Sequence, residues 1–138
     1  MKHRILLGIL CALCALGIAS AQSTTGNSVA KVIGQTATIS WTAPTTYTTG
    51  APIASGTAIT YSVSAAQQAG GTSCAAPNGA PVVTDLTATS YVTPTYTAVG
   101  VYCYDVTDTV AGTESAPSNV VSAVVSAPVP NAPAATIQ

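Results

Sequence analysis

Beyond residue 21 the chain all but abandons leucine: Leu86 is the only one, and Thr, Val, Ser and Ala alternate in short runs broken by Gly, Pro and Asn. β-Branched side chains suit a pleated surface, and residues two apart share one face of a strand. No helical period of apolar residues runs between Val29 and Val125, so this stretch reads as many short strands. In Gln35 to Thr42 the alternation puts Ala37, Ile39 and Trp41 on one face; in Ile59 to Ala65 it turns Ile59, Tyr61, Val63 and Ala65 inward. Val101 to Thr109 carries Tyr102, Tyr104 and Val106 on one face and Cys103 on the other. Asn119 to Ser126 forms the last strand, with Val120, Val121, Val124 and Val125 available to close a core. Further strands are expected at 30–33, 82–85 and 90–97, with turns at Ala43-Pro44, Gly50-Ala51-Pro52, Gly70-Gly71, Pro77-Asn78-Gly79, Gly112 and Ala116-Pro117. About seven short antiparallel strands in roughly a hundred residues make an all-β, two-sheet sandwich.

The preceding segment has another character. Met1-Lys2-His3-Arg4 is basic, Ile5 to Ile18 is apolar, and Ala19-Ser20-Ala21 ends in the small residues that signal peptidase requires. These three parts make residues 1–21 an export signal. The apolar run is short for a bilayer span of about 20 residues, so no stable membrane span is expected after cleavage. Leu10 and Leu13 precede Cys11 and Cys14, which disfavours lipoprotein processing and favours cleavage after Ala21. A polar linker (22–28), a domain (29–126) and a Pro/Ala-rich tail (127–138) follow. The tail, with Pro128, Pro130 and Pro133, reads as extended, either frayed or offered to a neighbour. The protein is thus expected outside the cytoplasm, whether released, periplasmic or held at the cell surface.

Removal of the leader leaves Lys31 as the one cation against Asp85, Asp105, Asp108 and Glu114, a side-chain charge of −3. Such a chain cannot neutralise a run of phosphates, which excludes nucleic acid as a partner and disfavours anionic membranes. Of four cysteines, Cys74 and Cys103 remain. In an oxidising compartment they are most simply one disulfide, worth about 3–4 kcal/mol by loop closure; two separate buried thiols are the alternative.

Three segments resemble the bacterial fibronectin type III domains, over residues 29 to 126. Ile39-Ser40-Trp41-Thr42-Ala43-Pro44 is similar to the family's second strand with its core tryptophan, and Ile59-Thr60-Tyr61-Ser62-Val63 to its third. Tyr102-Cys103-Tyr104-Asp105-Val106 and the later Glu114-Ser115-Ala116-Pro117-Ser118 resemble its sixth strand and the turn beyond. The resemblance implies a seven-stranded antiparallel immunoglobulin-like sandwich, with Trp41, Tyr61, Tyr102 and Tyr104 as core signature. It places Tyr102 at the tyrosine corner, where the hydroxyl bonds back to nearby backbone. Asp108 stands where the family has a small apolar residue, so the strand end is expected to bend outward. The segment Ala98-Val99-Gly100 lacks the usual proline of that corner. The fold carries no activity with it.

Chemistry is conspicuous by omission. His3 is the sole histidine and leaves with the leader, which removes every Ser-His, Cys-His and His-metal arrangement. Asp105 and Asp108 are three positions apart and face opposite sides of a strand, so they do not form a paired-carboxylate site; the four acids read as surface charges. No catalytic residue, metal site or cofactor is expected. Trp41, Tyr61, Tyr91, Tyr102 and Tyr104 are accounted for by the core, which leaves Tyr47 in its threonine-rich loop and Tyr96 as candidate ligand contacts. The expected function is a binding or spacer module contacting protein or a surface. The alternatives are recognition of a surface polysaccharide, since bacterial fibronectin type III domains accompany polysaccharide-degrading enzymes, and self-association through the tail.

Overall fold

A computed structural model describes residues 28–70 and 74–130, so the segment expected to be an export signal, most of the expected linker and the end of the tail lie outside the described residues. Eight strands and no helix occur among them: β1 (Ser28–Val32), β2 (Thr38–Ser40), β3 (Ile59–Gln68), β4 (Val83–Leu86), β5 (Ser90–Val92), β6 (Gly100–Val110), β7 (Thr113–Glu114) and β8 (Val121–Ser126). One sheet runs β1-β8-β6-β3-β4 with β7 also on β6; the other is only β2 and β5. The all-β expectation holds, but the arrangement is not purely antiparallel. β1 pairs with β8 in parallel, Ser28 opposite Ser122 through Val32 opposite Ser126. Ser28, assigned to the linker by sequence, belongs to β1.

The core lies between the sheets and follows the alternation. Ala37, Ile39 and Trp41 from one side meet Tyr61, Val63, Tyr104, Val106, Ala123 and Val125 from the other. Trp41 packs edge-on against Tyr61, ring centroids 5.2 Å apart. Alternation along β8 selects Val121, Ala123 and Val125 for this face, so Val124, expected to help close it, instead stands 42% exposed on the outside.

β6 organises the large sheet. It pairs with β3 over ten positions, from Ile59 opposite Val110 to Gln68 opposite Val101. It pairs with β8 from Gly100 opposite Val125 to Tyr104 opposite Val121. Past Tyr104 the ladder to β8 breaks, and Glu114-Ser115-Ala116-Pro117-Ser118 explains how β6 keeps its partners. Pro117 has no N–H to give. Ser118 Oγ accepts from Val106 N at 3.1 Å, and Ser118 N donates to Val106 O at 2.9 Å. Ser115 Oγ accepts from Asp108 N at 3.0 Å, and Ser115 N donates to Asp108 O at 2.8 Å. Two serine hydroxyls thus replace ladder carbonyls. The β6–β7 turn is Ala111-Gly112, both at positive φ (50° and 79°), as a tight two-residue hairpin of the favoured twist requires.

On the outer face of the large sheet, Cys103 of β6 is joined to Cys74, 29 residues away in sequence and with Cα atoms 5.6 Å apart. At the start of β6, Gly100 has φ +146°, and a Cβ there would lie 2.9 Å from the carbonyl oxygen of Gln68. Backbone cannot yield as a flexible side chain does, so this glycine sets the approach of β3 to β6. We expect Gly100→Ala to cost about 2 kcal/mol, from backbone strain and the forced opening of the strand pair. Urea unfolding checks this, and an unchanged midpoint would contradict it.

Candidate functional site

The residues singled out by sequence divide into a buried set and one loop position. Trp41, Tyr61 and Tyr104 are buried, and Tyr102 is half-buried against the same core. Tyr102 donates its hydroxyl to the carbonyl of Ala98, four residues upstream, at 3.1 Å, the bond of a tyrosine corner made here without a proline. Tyr104 donates to the Tyr96 hydroxyl at 3.4 Å, and burial, then that bond, push its pKa far up. Tyr96 is therefore no exposed ligand contact. It is 2% exposed, its ring centroid lies 4.7 Å from that of Tyr102, and its backbone bonds to Gln35 and Gly34. The physical cause is a shift of parity. Thr93 is buried, Pro94 and Thr95 are exposed, and Tyr96 turns inward again, one residue out of strict alternation. Tyr47 is half-buried in a small loop closed by Tyr47 N to Ala51 O (2.8 Å) and Gly50 N to Tyr47 O (2.8 Å).

The acids depart from expectation more sharply. The end of β6 does not bend outward: Asp108 is 0% exposed on the core face, opposite Tyr61, and neither carboxylate oxygen has a hydrogen-bond partner among the described residues. Burial pushes its carboxyl above the usual range. Ser115 and the amide of Asp108 itself act in the opposite direction and are outweighed by burial. That amide donates to Ser115 Oγ, and Ser115 Oγ donates to Ala116 O at 2.8 Å. Tyr61 is raised in turn, by burial first and then by the Asp108 charge. Asp105, 2% exposed on the opposite face, is raised by burial and partly held down by Ser64 across the strand pair. The two carboxyls are buried and separated by the sheet, which suits no shared acid–base chemistry. Among the described residues no three His, Cys, Asp or Glu come together as metal ligands. No helix among them is long and apolar enough to cross a membrane.

What the strands do offer is edges. Because β1 has joined β8, nothing pairs with the outer edge of β2 among the described residues. Ala37 and Trp41 bond across to Thr93 and Thr89, so Thr38 and Ser40, between them in an alternating ladder, direct N–H and C=O groups to that open side. A cleft of ≈ 210 Å³ lies beside the edge, lined by Val29, Lys31, Thr38, Ser40, Tyr104 and Val121 among others. A second cleft, ≈ 290 Å³, opens between the sheets on the β4–β5 side and is lined by Tyr91, Tyr96, Tyr102 and Tyr104. The β2 edge is not singled out from sequence, and of the second cleft's lining only Tyr96 is named there as a candidate ligand contact. The edge depends on which strand β1 chooses, and strand choice leaves no local mark.

Comparison of the sequence with protein-family models and with curated proteins finds no match. Among solved structures the chain is similar to that of a Fn3-like protein from Clostridium thermocellum, at 21% identity and a TM-score of 0.41, over 80% of this chain and 99% of that one.

Asp108 yields a pH test. Below about pH 4 an unfolded aspartate and the buried one are both protonated; above it the unfolded chain ionises freely while the folded state holds its proton. The stability this group contributes is thus fully present in acid and lost as pH rises through the raised native pKa. Asp105 acts in the same direction. We expect urea midpoints to fall from pH 4 to pH 7, and Asp108→Val to flatten that slope and gain about 1–3 kcal/mol at neutral pH. A Val variant with the wild-type slope and no gain would contradict this.

Proposed function

We propose that the chain is an exported, non-catalytic fibronectin type III-like module whose leader is removed after Ala21, and that it works by contact with protein outside the cytoplasm. The family reading is supported by Trp41 in the core, the Tyr102–Ala98 corner bond and the serine-rich turn at 114–118. Export is supported by the Cys74–Cys103 bond, which persists in oxidising compartments. The non-catalytic reading is supported by the loss of the only histidine with the leader and by the burial of Asp105 and Asp108 on opposite faces.

The observation that carries the contact reading is the open edge of β2. An extended segment of a partner adds to such an edge through main-chain hydrogen bonds, with alternate side chains entering neighbouring pockets. Here the pocket is the cleft beside Val29 and Val121, and the exposed Thr38 and Ser40 side chains impose no charge on the incoming strand. Protein edges open to pairing are commonly blunted by lysine or proline. In β2, Thr-Ile-Ser carries neither. Recognition of polysaccharide has less to stand on, because of the two rings singled out for it Tyr96 is buried and Tyr47 is half-buried in its loop.

The test pans a random peptide library on the chain from Gln22 to Gln138 and on its Thr38→Pro variant. Proline at position 38 removes an outward N–H and spares the bonds to β5. We expect enriched peptides with alternating apolar residues whose affinity falls at least tenfold on Thr38→Pro, about 1.4 kcal/mol. Peptides indifferent to the substitution, or instead saturable co-sedimentation with an insoluble polysaccharide that is lost on Tyr47→Ala, would overturn the reading.

A further inference from the structure

The second cleft has a different chemistry from the β2 edge. Tyr91 and Tyr102 are half-buried in it, Val82 beside them is 53% exposed, and Gln67, Thr95 and Thr97 form a polar rim; no charged residue lines it. Aromatic grooves of this kind accept proline-rich segments, whose extended left-handed helix is already set by the proline rings and so loses little entropy on docking. The chain carries such a segment, uncharged like the cleft: Ala127-Pro128-Val129-Pro130-Asn131-Ala132-Pro133.

Position and exposure decide which molecule's cleft it fills. The segment leaves β8 at the end of the sheet where Val125 pairs with Gly100, and Tyr102 of the cleft lies two residues along β6 from there. Residues 127–130 are nevertheless all exposed, Val129 at 88%, so these four residues do not cover the cleft of their own molecule. We propose that the tyrosine cleft of one copy takes the Pro128–Pro130 segment of a second copy. The contact is head-to-tail, with different surfaces on the two partners, so copies add on without closing unless a ring geometry intervenes.

Two variants of the chain from Gln22 to Gln138 separate the halves of the contact. Pro128→Ala with Pro130→Ala spoils the segment, and Val82→Glu places a charge at the mouth of the cleft on an exposed side chain; Thr97→Arg, on the rim, replaces it should Val82→Glu alter the circular dichroism. Sedimentation velocity from micromolar to millimolar concentration is expected to show the wild type growing through twice its monomer mass and beyond. Each variant alone stays monomeric. Mixed in equal amounts they form a species of twice the monomer mass and no larger, since one supplies the intact segment and the other the intact cleft. A monomeric wild type, a monomeric mixture, or assembly that survives the proline substitutions overturns the proposal. Thr38→Pro leaves this assembly intact; assembly abolished by Thr38→Pro but not by the proline or cleft variants would place the contact on β2 and overturn it equally. The two readings therefore fail separately.

Discussion

The structure depends on keeping β6 paired along both sides while both of its faces are covered. Ten positions of β3 secure one side. On the other side β8, the two serines and β7 take over from one another along its length. Its inner face supplies Tyr104 and Val106 to the core, and its outer face carries Cys103, tied to Cys74. Covering both faces of one strand is also what buries two carboxyls. At positions 105 and 108 the strand is covered on the face each side chain takes, so Asp105 and Asp108 are both inside although they point opposite ways. Asp108, with no partner for its oxygens, is the least satisfied group in the core, together with Trp41 Nε1, which is buried and likewise unpartnered among the described residues. Burying such groups costs stability, and the loss is offset by the apolar packing around them.

The same economy of pairing shapes the surface. β1 spends its hydrogen bonds on β8, and the smaller sheet is left with two strands. Two strands cannot close a sandwich on either side, and a cleft stands open on each. The two clefts differ in what they can hold. One borders free backbone groups of β2 and suits an added strand; the other is walled by tyrosines and suits rigid apolar rings. With a single lysine and few acids on the described surface, association is governed by shape and backbone bonding more than by charge.

Much of this was legible in the sequence, and the failures have physical causes. Strict alternation located the inward faces of β2, β3 and the first half of β6, because a period of two has no other reading there. The inward turn of Tyr96 is not legible because the chain slips parity after Pro94, outside any strand, where alternation ceases to report. The outward bend at Asp108 is expected from an acid standing where the resembled family has a small apolar residue; instead Ser115 fastens the backbone of that residue to the neighbouring chain and holds it in line. The serine-rich turn was visible as a motif, but the service its hydroxyls perform for β6 required coordinates. The open edge could not be read at all. Residues 28–32 form an unremarkable strand in either sheet, and only the long-range pairing with β8 decides that β2 goes without a neighbour.

Amide hydrogen exchange resolved by residue tests most directly whether β1 leaves β2 without a neighbour. With β1 on β8, the N–H groups of Thr38 and Ser40 face the open side and should exchange at nearly the rate of an unstructured chain, while Ile39 between them, bonded to β5, is protected. Alternating protection along three residues would establish a strand paired on one side only. Uniform protection of Thr38, Ile39 and Ser40 would mean that another strand covers β2 and that no contact edge is open there.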